Sequence, residues 1–93
     1  MFARVSTIMG KPEKADEVME VFTGPNPPGL SEMKAGYALV SRKTGKVMLV
    51  ALWETEEAME KGAAAASQIR EQIASVAGAP PATVEIFDLV GEG

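Results

Sequence analysis

The stretch Val47-Met48-Leu49-Val50-Ala51-Leu52-Trp53-Glu54-Thr55-Glu56-Glu57-Ala58 decides the fold. Its uncharged run, 47–53, is far short of the about 20 helical residues that span a bilayer. As a strand its side chains alternate, so Val47, Leu49, Ala51 and Trp53 share one face and Met48, Val50 and Leu52 the other. Thr55 then offers an N-cap oxygen, and Glu56 and Glu57 put negative charge at the positive end of a helix dipole. A strand over 46–54 followed at once by a helix is the reading. Met59, Ala63, Ala66, Ile69, Ile73 and Val76 recur every three or four residues, which predicts one helix continuing to 76 or 77. Gly78 is placed to be the left-handed residue just past its end, and Pro80-Pro81 forbid continuation.

Outward from that stretch, residues 2–9 alternate as a strand, with Phe2, Arg4, Ser6 and Ile8 on one face and Ala3, Val5, Thr7 and Met9 on the other. Pro12 suits the first helical position, where a missing N–H costs nothing, and Ala15, Val18, Met19 and Phe22 form an apolar stripe. This predicts a helix over 12–22. Gly24-Pro25-Asn26-Pro27-Pro28-Gly29 must be a loop. A short helical turn is expected over 30–35 and a second strand over 36–42. Lys43-Thr44-Gly45 reads as a hairpin loop with Gly45 left-handed, and 83–90 as the last strand.

The order β-α-β-β-α-β is the ferredoxin-like plan, an α+β fold. Right-handed crossovers place both helices on one face of a four-stranded antiparallel sheet, and a chain of 93 residues makes one domain, 1–93. The other face should then be polar. It is not, since Met48, Val50, Leu52, Tyr37, Leu39, Phe87 and Leu89 share out over it or its opposite with no polar alternation. An uncovered apolar face of several hundred Å² is rare on a monomer. The expected remedy is a two-fold partner, a homodimer through the sheet face that makes a dimeric α/β barrel.

The composition excludes much chemistry. There is no cysteine, which rules out disulfides, thiolate catalysis and cysteine-held metals, and no histidine, the usual general base and metal ligand. No metal and no cofactor are expected. The net charge of −4, with nine basic residues scattered among thirteen acids, argues against nucleic acid. Met1-Phe2-Ala3-Arg4 is unlike a signal peptide, and no membrane segment is foreseen, so the expected location is cytoplasmic.

Five segments carry a resemblance to a known family: Ala3-Arg4-Val5 opening the first strand, Gly10-Lys11-Pro12-Glu13, Gly36-Tyr37, the hairpin Arg42-Lys43-Thr44-Gly45-Lys46, and above all Leu52-Trp53-Glu54-Thr55-Glu56-Glu57-Ala58. Over nearly its whole length the chain resembles the antibiotic biosynthesis monooxygenase family of dimeric α/β-barrel proteins. The resemblance implies that fold, and an activity like that of members that oxidise polycyclic aromatic molecules without a cofactor. Other members degrade haem with a His, an Asn and a Trp. This chain keeps Trp53 but has no His, and its only Asn is Asn26, so haem degradation by that route is not expected.

Trp53 is the foremost candidate to touch a ligand, since indole offers a broad apolar face and one N–H donor. Tyr37 could hydrogen-bond to a substrate phenolate, and Arg70, flanking the apolar stripe of the second helix, could reach a pocket rim. Arg4, in the first strand, calls for a partner, with Glu54 and Glu85 within neighbouring-strand reach; a structural ion pair is the favoured reading and substrate binding the alternative. The methionines at 9, 19, 33, 48 and 59 serve as core filling or as lining of an adaptable pocket. The cluster Glu54, Glu56, Glu57 and Glu60 reads as helix-start charge rather than a metal site. Two classes of function follow: a small monooxygenase-like enzyme acting on a planar or apolar molecule, or a non-catalytic ligand-binding or interaction module on the same dimeric scaffold.

Overall fold

In the computed structural model β3 (Lys46–Trp53) is an inner strand, flanked by β1 (Phe2–Met9) and β2 (Met33–Val40), and β4 (Thr83–Asp88) pairs with the far side of β1. All neighbouring pairs are antiparallel, in the order β2-β3-β1-β4. Residues 1–23 and 30–92 are described, so the proline loop expected at 24–29 lies outside them.

Register fixes which side chains share a face. Arg4 stands opposite Ala51, Ser6 opposite Leu49 and Ile8 opposite Val47, and all of these face the helices. There Ile8 and Val47 pack with Val18 of α1 (Ala15–Val21) and with Ile73, Ala74 and Ala77 of α3 (Ala63–Ala77). Ile8, Val18, Val47 and Ile73 are almost wholly buried, and burial of such side chains is worth about 1.5–3 kcal/mol each. A second cluster gathers Leu30, Trp53, Ala58 and Met59 at the other end of β3.

The local expectations hold in most places. Pro12 opens a 3-10 turn that leads into α1. The Thr55 hydroxyl accepts from the Ala58 N–H at 3.1 Å at the start of α2 (Glu56–Lys61). Gly78 closes α3 at φ 66°, with the Ala79 N–H reaching back to the Ala74 carbonyl at 2.9 Å, a Schellman ending. Gly45 takes φ 82° in the hairpin, a conformation that a side chain would strain.

Three expectations are corrected. Instead of a helical turn over 30–35, a single turn closed by Met33 N–H to Leu30 O leads directly into β2, which begins at Met33 and carries an irregularity before Ala35. The last strand stops at Asp88, and Leu89 instead donates to the Met1 carbonyl. The long second helix is broken at Gly62 into α2 and α3. Gly62 stands against Trp53: a Cβ there would lie 2.2 Å from its Cη2, so the indole fills the space that a side chain at this position would need.

On the face away from the helices, Tyr37, Leu39 and Phe87 are 58%, 55% and 47% exposed, with Met48, Val50 and Leu52 half-buried between them. The apolar open face foreseen in the strands is therefore present on the protomer. Among the described residues no helix is long and apolar enough to cross a membrane.

Candidate functional site

Trp53 ends β3 with its side chain on the helix side, wholly buried among Leu30, Ala58 and Met59 and against the gap at Gly62. Its indole N–H has no hydrogen-bond partner among the described residues. An unmade buried N–H is costly, and most native ones are paired, so this donor is a feature to explain.

Arg4 lies on the adjacent strand β1, two residues along from Phe2, which stands opposite Trp53. It is 8% exposed, its guanidinium carbon stands 5.9 Å from the Trp53 ring centroid, and its Nη2 donates to the Met59 carbonyl at 3.2 Å. Its Nη1 is buried and unpartnered. Neither expected acid reaches it. Glu85 pairs with Val5 and so sits on the other face of the sheet, and Glu54 is turned outward, 3.5 Å from Lys34. Burial first, and then the like charge of Arg70, pull Arg4 below its ordinary pKa. Arg70 comes from α3, half-buried, and its Nη1 is also buried without a partner.

These three side chains line one cavity of about 510 Å³, between the helix face of the sheet and α3. Its apolar wall comes from Leu49, Ala51 and Met33 on the strands and from Ala66 and Ile69 on α3. No Asp or Glu is among its described lining residues. Small side chains on both walls, Gly36, Ala38 and Ala51 facing Ala66, leave the room.

The structure brings Trp53 and Arg70 together at this cavity. Tyr37 also borders it at the β2 edge, but by register it shares a face with Val50, away from the helices, and is mostly exposed. Of the methionines, Met33 lines the cavity, Met59 is buried beneath Trp53, and Met9 is 60% exposed. Among the described residues no group of three or more His, Cys, Asp or Glu side chains is placed to hold a metal, and Glu54 and Glu57 instead meet Lys34 and Lys61. Arg4 is the residue that sequence reasoning misplaced, as one half of a structural ion pair. Its alternation had grouped it with Ser6 and Ile8 on one face, but had not placed it beside a second arginine.

No family model and no curated protein matches the chain. Solved structures do. The monooxygenase from the gene ActVA-Orf6 of Streptomyces coelicolor, solved in complex with nanaomycin D, superposes with a TM-score of 0.73 at 22% identity, over 98% of this chain and 88% of its own. The chain has the fold of the antibiotic biosynthesis monooxygenases. Another antibiotic biosynthesis monooxygenase gives a TM-score of 0.66 at 18% identity, over 98% of this chain and 100% of its own. SnoaB, a cofactor-independent oxygenase from Streptomyces nogalater, gives 0.53 at 16% identity, over 98% and 92%. On this monooxygenase fold, the resemblance drawn from the five sequence segments and the βαββαβ topology agree.

Proposed function

We propose that this chain is a monooxygenase-type enzyme that binds a small planar, largely apolar molecule in the cavity beside Trp53, and that it works as a homodimer joined through the open sheet face. The observation that carries the reading is the cavity itself: about 510 Å³, apolar-walled, with an indole and two guanidinium groups at its edge. That volume suits a ligand of two or three fused rings. The neighbour from S. coelicolor was solved with nanaomycin D bound, which supports a ligand of that general kind here.

The chain has no His and no Cys, so the residues that remain work by binding and by electrostatics. Oxygen chemistry without a cofactor asks for a substrate that forms a stabilised carbanion. The protein's share is then to orient the ring system, exclude water, and hold negative charge where it develops on oxygen. In this reading Trp53 and Arg70 do so from the cavity wall, and Tyr37 acts from the β2 edge. The absence of any carboxylate, His or Cys from the described lining favours a second reading, a binding module without turnover, because no ordinary base stands ready to take a proton.

Titration of the protein with planar quinones and hydroxynaphthalenes, followed by the fluorescence of its single tryptophan, tests the site. Saturable quenching that Trp53→Phe weakens is the expected result. No response from any member of such a panel would overturn it. Oxygen uptake with a bound ligand then separates the enzyme from the binding module.

A further inference from the structure

The cavity holds more positive charge than its surroundings account for. Arg4 is buried in its floor, and its Nη2 satisfies only a neutral carbonyl, that of Met59. Its Nη1 and the Nη1 of Arg70 are both buried and unpartnered, and neither arginine has an ion pair among the described residues. A buried guanidinium without an anion is unfavourable, and two that repel each other are more so. Proteins keep such pairs where something else supplies the counter-charge. The acids nearest in sequence or register do not. Glu54 turns to Lys34, Glu85 faces the far side of the sheet, and Glu71 borders a neighbouring groove between α3 and β4 that Arg70 also lines, without forming an ion pair with it. The third unpartnered donor is the buried indole N–H of Trp53, a residue that lines the same cavity.

We propose that the ligand of this cavity is an organic anion, a planar aromatic carboxylate whose two oxygens are held between Arg4 and Arg70 with the Trp53 N–H as a further donor. The inference rests on the reading of the cavity as a small-molecule site and adds the charge of its occupant. A guanidinium presents its N–H groups in a planar fork that matches a carboxylate, and charge-assisted hydrogen bonds of this kind are about twice as strong as neutral ones. The anion neutralises the Arg4–Arg70 repulsion, so the site selects for charge and not only for shape. The ring system of the ligand then lies along the apolar wall formed by Leu49, Ala51 and Ile69.

The test uses a matched pair, 1-hydroxy-2-naphthoate and its primary amide 1-hydroxy-2-naphthamide, which differ in charge but hardly in size. Each is titrated into the intact protein at neutral pH by calorimetry, with Trp53 fluorescence as a second reading. The acid should bind at least about tenfold more tightly than the amide, given the strength of charge-assisted over neutral bonds. Arg4→Gln and Arg70→Gln should each erase most of that difference, lowering the affinity for the acid far more than that for the amide. Equal affinity for acid and amide overturns the anion clamp and leaves the apolar cavity standing. Binding of neither overturns both. Should Arg4→Gln fail to fold, the comparison of acid with amide on the unaltered protein still decides the matter, and Arg70→Gln, at a half-exposed helix position, gives the residue-level answer.

Discussion

Gly62→Ala puts the packing of the site under direct test. The added Cβ would lie 2.2 Å from Trp53 Cη2, 2.9 Å from Cζ3 and 3.1 Å from Cζ2. Carbon atoms in contact prefer about 3.5–4.0 Å, so the ring must retreat by more than an ångström. It cannot do so freely, because Trp53 is wholly buried with Leu30, Ala58 and Met59 against it. Overpacking of this kind costs about 1–3 kcal/mol. Gly62 joins α2 and α3 at φ −86° and ψ −1°, a right-handed backbone that alanine also adopts, so the lower chain entropy of alanine, worth up to about 1 kcal/mol, offsets part of the clash. The net loss is about 1–2 kcal/mol, which lowers the melting midpoint by roughly 4–15 °C in a domain of this size. Trp53→Phe removes the atoms that clash. In that background Gly62→Ala should be neutral or stabilising, so the two substitutions must couple strongly. Thermal and urea unfolding of the four proteins of the cycle, at one protein concentration, reads the coupling. If Gly62→Ala costs the same with Trp53 or Phe at position 53, or stabilises the unaltered protein, then Trp53 is not what excludes a side chain from position 62.

Leu39→Glu addresses the open face: at 55% exposure it should cost a lone protomer little, yet it should abolish the homodimer. Sedimentation should give twice the 9.8 kDa chain mass for the unaltered protein and monomer for the variant, and a monomeric unaltered protein would refute the assembly. The Arg42–Asp16 ion pair between the hairpin and α1 is more than two-thirds exposed at both ends, so a double-mutant cycle should measure less than about 1 kcal/mol, falling further in high salt.

The topology was legible because β1, β3 and the two helix starts carry their own punctuation. Thr55 with its two glutamates, Gly45, Gly78 and Pro12 each act within a few residues of chain, and each took the conformation its chemistry favours. The open apolar face was legible for the same reason, since alternation along a strand is a local property. The break at Gly62 was not. Periodicity ran through it unbroken from Met59 to Val76, and nothing in Gly62-Ala63-Ala64-Ala65-Ala66 announces which residue packs against it. What comes close is a ring nine residues earlier in the chain, and that depends on how β3 and α2 pack. The start of β2 was misjudged in a similar way, because Met33 pairs with Trp53 across an irregularity that no local pattern announces.

The candidate site divides along the same line. A tryptophan at a strand end before an acidic helix start drew attention by itself: its ring packs against Gly62 in the core, and the residue also lines the cavity. Arg4 could only be assigned by elimination in the folded chain. Alternation grouped it with Ser6 and Ile8 and charge demanded a partner, so a carboxylate on an adjacent strand was the economical answer. Register refutes it, because Glu85 stands opposite Val5, one residue out of phase and therefore on the other face. A one-residue offset thus turns an expected structural ion pair into an unpaired buried cation beside Arg70. The strongest indication of function in this chain is a pairing that the register forbids.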